Sequence, residues 1–103
     1  GFTNSGRITG ESGDGVAIAV GTWGSAEDVA AILNTIDGDI SGGQTGFELE
    51  GDTIYASVTN NGAISGGVNG AVIEITNFNA PVENTGTISG LDFSGMENLQ
   101  GGS

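Results

Sequence analysis

Apolar residues in this chain fall into short alternating runs, and the runs recur. In Phe47-Glu48-Leu49-Glu50 the two apolar side chains take one face of a strand and the two carboxylates the other. Val16-Ala17-Ile18-Ala19-Val20 and Ala71-Val72-Ile73-Glu74-Ile75 are the corresponding runs, and the three follow Gly15, Gly46 and Gly70. Upstream of each stands a shorter phrase, Gly-x-Ile-(Ser/Thr)-Gly. It occurs around Ile8, Ile40, Ile64 and Ile88, at spacings of 32, 24 and 24 residues. A third run, Thr53-Ile54-Tyr55-Ala56, has a less regular counterpart in Asn77-Phe78-Asn79-Ala80-Pro81. A repeat near this length marks units that cannot bury an apolar face alone and must stack on one another.

The pattern predicts an all-β chain: a right-handed parallel β-helix, or β-solenoid, of about four coils with roughly 24 residues per coil. Residues 1–103 read as one such domain. Ile8, Ile40, Ile64 and Ile88 form one interior ladder, and Ile18, Leu49 and Ile73 a second, with rungs ~4.8 Å apart. Glycines at the corners supply φ > 0 or close backbone approach. Asn4, Asn60 and Asn84 share one repeat position. They read equally well as a stacked asparagine ladder and as ordinary turn residues; counted back from the glycine, Ile36 breaks that ladder in the second coil.

The eight surplus residues of the first spacing point to an insert over 22–33. Within it, Ser25 to Leu33 reads as a short helix, with Ser25 as N-cap, Glu27 and Asp28 in the first turn, and Ala26, Val29, Ala30 and Leu33 as an apolar stripe. That helix either decorates the side of the stack or lids its N-terminal end. Leu91 to Leu99 fits the second strand poorly, and Gln100 to Ser103 reads as a frayed or linker end.

Composition narrows the chemistry. The 103 residues include 21 glycines, one proline and no cysteine, and 13 acidic side chains stand against Arg7 alone, a net charge of −12. Nucleic acid is excluded as a partner, because phosphate binding needs Lys and Arg. No apolar run approaches the ~20 residues of a membrane-spanning helix. There is no histidine, cysteine or lysine. The commonest general base, the thiol nucleophile and the Schiff-base amine are therefore missing, and the reading is non-enzymatic.

The remaining site chemistry is oxygen-rich. Calcium favours carboxylates, and its candidates are Asp37, Asp39, Glu48, Glu50, Asp52 and Glu74; Glu50 and Glu74 are expected one layer apart on the outer face. A solvated acidic face is the plainer account, and no cofactor is required. Trp23, Tyr55 and Phe78 are candidate contacts for a glycan, or else packing residues.

Two phrases, Val58-Thr59-Asn60-Asn61-Gly62-Ala63-Ile64-Ser65-Gly66 and Val82-Glu83-Asn84-Thr85-Gly86-Thr87-Ile88-Ser89-Gly90, resemble the repeat of autotransporter passengers and related large bacterial adhesins. The resemblance implies a right-handed β-helix secreted to the bacterial cell surface as a stalk, adhesin or matrix element. It supplies no catalytic residues, and the β-barrel translocator of that family has no counterpart in these residues. The start at Gly1 in mid-phrase reads as a processed product or excised fragment. Expected partners are adjacent coils or copies of the chain stacked end to end as a filament, and matrix or host glycans.

Overall fold

The computed structural model describes residues 1–80, 82–89, 91–95 and 99–101, with side chains for 1–80 and 82–89. Among the described residues thirteen strands follow in order: β1 Phe2–Asn4, β2 Arg7–Gly10, β3 Val16–Trp23, β4 Ala30–Asn34, β5 Asp39–Gly42, β6 Thr45–Ile54, β7 Ala56–Asn60, β8 Ala63–Gly66, β9 Asn69–Phe78, β10 Val82–Asn84, β11 Thr87–Ile88, β12 Leu91–Gly95 and β13 Leu99–Gly101. They form three sheets, ordered β1-β4-β7-β10-β13, β11-β8-β5-β2 and β12-β9-β6-β3. Every strand pairing is parallel. Successive strands visit the three sheets in turn, so each set of three makes one layer. The arrangement is all-β and compatible with a β-solenoid.

Both predicted ladders are present in register. Ile8 pairs with Ile40, Ile40 with Ile64, and Ile64 with Ile88. Ile18 pairs with Leu49 and Leu49 with Ile73. A third column, Phe2-Ile32-Val58-Val82, runs through the first sheet. Leu49 is 0% exposed and Ile73 1%, whereas Ile18 in the first layer is half-buried. The difference follows from stacking, since a first-layer side chain has a described neighbour on one side only. Burying such a side chain is worth about 1.5–3 kcal/mol, so the inner layers carry most of the apolar stabilisation.

No helix forms over residues 25–33. Ser25 and Asp28 close a tight turn through reciprocal backbone hydrogen bonds of 3.1 Å, and Ser25 Oγ accepts the Asp28 N–H as the expected cap would. Ala30–Asn34 then pairs with β7 as strand β4. An isolated helix shorter than ~12–15 residues is marginal in water, and a ready strand edge offers these residues a backbone partner at every second position. The loop does not lid the stack: residues 24–29 are all exposed, Val29 included.

The eight-residue surplus is in fact spread over three turns. Trp23 to Ala30 spans seven positions where Ile54 to Ala56 spans two, which accounts for five residues. Gly10 to Val16 spans six where Gly42 to Phe47 spans five, and Asn34 to Ile40 spans six where Asn60 to Ile64 spans four.

That last pair of extra residues corrects the asparagine reading. Ile36 and Asp37 bulge out in a turn closed by Gly38 N–H to Thr35 O at 2.8 Å, and Ile36 is 79% exposed. Asn34 takes the ladder position instead, and the ladder is unbroken. Asn4 Nδ2 donates to Asn34 Oδ1 at 2.9 Å, Asn34 Nδ2 to Asn60 Oδ1 at 2.8 Å, and Asn60 Nδ2 to Asn84 Oδ1 at 2.8 Å. All four asparagines are buried.

The corner glycines serve close approach more than φ. Among the described residues only Gly24 has positive φ, at 74°. A Cβ on Gly42 or Gly66 would lie 2.0 or 1.9 Å from the carbonyl oxygen of Thr45 or Asn69, where no side chain fits. The fourth layer also departs from expectation. Leu91–Gly95 pairs with β9, placing Phe93 beside Ile73, and Leu99–Gly101 pairs with β10. Pro81, Gly90, Met96, Glu97, Asn98, Gly102 and Ser103, part of the expected irregular or frayed segments, lie outside the described residues.

Candidate functional site

The outer face of the third sheet gathers the acidic side chains. Alternation along β6 turns Phe47 and Leu49 inward and Glu48 and Glu50 outward. Parallel pairing sets Glu50 beside Glu74 of β9, as the repeat alignment requires, and sets Glu48 beside Val72. On the other flank Glu48 and Glu50 face Ala17 and Ala19 of β3. These small neighbours leave an open, shallow groove along Glu50, Gly51, Asp52, Glu74 and Ala19 to Gly21.

Glu48, Glu50 and Glu74 each bring a carboxylate oxygen within 4.8 Å of the other two. Like charges directly opposite on a sheet destabilise it unless they are screened, protonated or bridged. Glu48 feels this crowding. Its pKa is raised above the ordinary 4.5, first by a side-chain hydrogen bond with Asp14, then by partial burial and by the charges of Asp14, Glu50 and Glu74. Asp14 was not among the candidates read from sequence. It lies in the lengthened loop between β2 and β3, and nothing in its local pattern marks the contact with a residue 34 positions on.

The six calcium candidates therefore divide. Glu48, Glu50 and Glu74 come together, Asp52 borders the same groove, and Asp37 and Asp39 lie elsewhere. Asp37 is exposed in the turn after β4. Asp39 begins β5 in the second sheet, beside Arg7 in register, and Arg7 Nε lies 3.9 Å from its carboxylate with both side chains largely exposed. Such a pair contributes little, because water and salt screen it. The triad can offer oxygen ligands to a hard divalent cation, and the same geometry also describes a solvated acidic face.

The aromatic candidates also divide. Phe78 is 0% exposed and pairs with Ile54 inside the third sheet, so its ring is core and not a ligand contact. Trp23 is half-buried against the core at the end of β3, and Tyr55 is half-buried between β6 and β7. Among the described residues no helix is long and apolar enough to cross a membrane. Comparison with protein-family models, with curated proteins and with solved structures returns no match.

Proposed function

We propose that this chain is a right-handed parallel β-helix of about four coils and a non-enzymatic structural element of a bacterial cell surface, a stalk or adhesin passenger segment. The observation that carries the reading is the Ile8-Ile40-Ile64-Ile88 column, in which each Gly-x-Ile-(Ser/Thr)-Gly phrase pairs in parallel with the next. One supersecondary unit repeated in register builds length without building a pocket, which suits a spacer. Right-handedness follows from the strong crossover preference of parallel strands. The side chains available for chemistry support the non-enzymatic part: carboxylates, hydroxyls and amides, with one cation on an exposed edge. The acidic outer face keeps such a surface hydrated and repels neighbouring anionic surfaces.

The surface assignment has a direct test. An epitope tag placed in the exposed loop at residues 25–29 should be cut by protease added to intact cells of the source bacterium. Protection of the tag until the cells are lysed refutes the assignment. The β-helix itself predicts a far-ultraviolet spectrum dominated by β structure, and a disordered spectrum overturns it.

A further inference from the structure

We infer that Asn61 is a site of spontaneous covalent modification, at which the main-chain nitrogen of Gly62 attacks the Asn61 carboxamide and the turn between β7 and β8 ages into an acidic one.

The chain holds two Asn-Gly dipeptides, Asn61-Gly62 and Asn69-Gly70, and two Asp-Gly dipeptides, Asp14-Gly15 and Asp37-Gly38. In each, glycine puts no side chain in the way of ring closure by its nitrogen on the preceding residue. The ring closes only where that nitrogen is free and the backbone can bend towards the side chain. The fold separates the four on these counts. Gly15 N–H donates to Thr45 O at 3.0 Å, and Gly38 N–H to Thr35 O at 2.8 Å. Asn69 opens β9 paired with Thr45, and Gly70 after it is buried. An extended residue fixed in a ladder cannot bend to bring the following nitrogen onto its side chain.

Asn61 lies in a turn, and among the described residues the Gly62 N–H has no hydrogen-bond partner. The equivalent glycines of the other layers do. Besides Gly38, Gly6 N–H donates to Asn4 Oδ1 at 3.2 Å and Gly86 N–H to Asn60 O at 3.2 Å. Asparagine precedes this glycine only in the third layer; Ser5, Asp37 and Thr85 hold the position elsewhere. The carbonyl is activated as well. Thr85 Oγ1 donates to Asn61 Oδ1 at 2.7 Å, in an exposed contact. A donor on that oxygen stabilises the negative charge that grows on it as the nitrogen adds to Cγ.

The only co-reactant is water. Gly62 nitrogen loses its proton and bonds to Asn61 Cγ; the Cγ–Nδ2 bond breaks, and Nδ2 leaves as ammonia with that proton. Water then adds to one of the two carbonyls of the resulting succinimide. Opening at Cγ leaves aspartate, and opening at the main-chain carbonyl leaves isoaspartate, whose chain runs through Cβ and Cγ. Isoaspartate lengthens the main chain at a corner with no slack. Gly62 O accepts from Thr87 N–H at 2.9 Å, Ala63 N–H donates to Gly38 O at 3.0 Å, and a Cβ on Gly86 would overlap Gly62 O. Aspartate keeps the chain length and adds one negative charge, so isoaspartate is the damaging product.

Incubation of the folded full chain in mildly alkaline buffer, followed by peptide mass spectrometry with fragmentation that distinguishes aspartate from isoaspartate, tests this. Asn61 is expected to convert from amide to acid at least about tenfold faster than Asn69, since misplacing a reacting group by about 1 Å costs up to about a hundredfold. In urea the two asparagines are expected to convert at similar rates. Thr85→Val is expected to slow conversion of folded Asn61 at least about threefold. Folded Asn61 converting no faster than Asn69, a rate difference that persists in urea, or a Thr85→Val chain converting as fast as wild type overturns the inference. Asn61→Thr, which places at this corner the residue type of Thr35 and Thr85, tests the consequence. Aged wild type is expected to contain a lower-melting fraction enriched in isoaspartate, and the aged variant none. An isoaspartate fraction that melts with the fresh chain overturns the claim that the corner has no slack.

Discussion

Replacing Asn60 by alanine isolates what the asparagine ladder contributes. Asn60 is 1% exposed. Its Nδ2 donates to Asn84 Oδ1 at 2.8 Å, Thr87 O at 3.0 Å and Gly62 O at 3.2 Å, and its Oδ1 accepts from Asn34 Nδ2 at 2.8 Å. Three of these four contacts join different layers. At about 1 kcal/mol net for each bond, and with some relief from water entering the space, Asn60→Ala should lose about 3–4 kcal/mol. That is a large part of the ~5–15 kcal/mol expected of a whole domain. Asn4→Ala provides the internal control. It gives up one bond to the next layer, Asn34, and two local ones to Gly6, at an end already open to water, so the loss should be about 1 kcal/mol. In a chain of this length the melting temperature should fall by roughly 15–25 °C for Asn60→Ala and by about 4–8 °C for Asn4→Ala. Urea unfolding monitored by circular dichroism measures both on one scale. Asn60→Asp should be at least as damaging near neutral pH, since it turns a carboxylate towards three acceptor oxygens. If Asn60→Ala lies within ~1 kcal/mol of Asn4→Ala, the asparagines act as turn residues and the ladder argument fails.

Three further outcomes are expected. Glu48 has a raised folded-state pKa, set first by its hydrogen bond with Asp14, so the native state keeps a proton that the unfolded state releases; stability from this group is present below the unfolded value and is lost as pH rises above about 4.5 through the folded value, and Glu48→Gln should flatten that decline in a pH series of melting curves, an unchanged slope refuting the assignment. Relieving the Glu50–Glu74 repulsion by Glu74→Gln should stabilise by about 0.2–1 kcal/mol; millimolar calcium should raise the wild-type melting temperature and lose that effect in Glu50→Gln/Glu74→Gln, while a wild-type curve indifferent to calcium and chelator removes calcium from the account. Gly66→Ala, whose Cβ would fall 1.9 Å from Asn69 O, should destabilise by at least ~2–3 kcal/mol where Gly6→Ala is neutral, and equal melting of the two would show that corner packing is looser than the structure has it.

The acidic site was legible only where it follows the repeat. Glu50 and Glu74 stand 24 positions apart, the spacing of the isoleucines, so their adjacency could be read by counting. Glu48 joins them because alternation puts it on the same face. Asp14 escaped because it lies in a turn whose length is peculiar to the first layer, where counting from either neighbour loses register by one residue. Asp37 and Asp39 were drawn into the candidate set by their position around a glycine, yet Asp37 lies in a turn and Asp39 begins a strand of a different sheet. Phe78 stayed open between glycan contact and packing because the run around it is irregular; the pairing of Thr53 with Asn77 and Ile54 with Phe78 carries β9 on to that ring and decides for packing.

The sequence by itself determined the strand periodicity, the repeat and the two interior ladders. Each rests on the two-residue alternation of a strand and on identical phrases one layer apart, both of which survive without knowledge of the turns. Tertiary structure decided where the extra residues go. Ser25 to Leu33 reads as a helix by local preference, yet Ala30–Asn34 is a strand by partnership, because β7 offers an edge in register and a short helix offers nothing comparable. Asn34 rather than Ile36 completes the ladder because a bulged turn hides two residues from any count anchored on glycine. Of the two roles open to the corner glycines, positive φ and close approach, the structure chose mostly the second, as spaces for the backbone of an adjacent turn or layer. Contacts between residues 24 to 34 positions apart made these choices, and local sequence does not encode them.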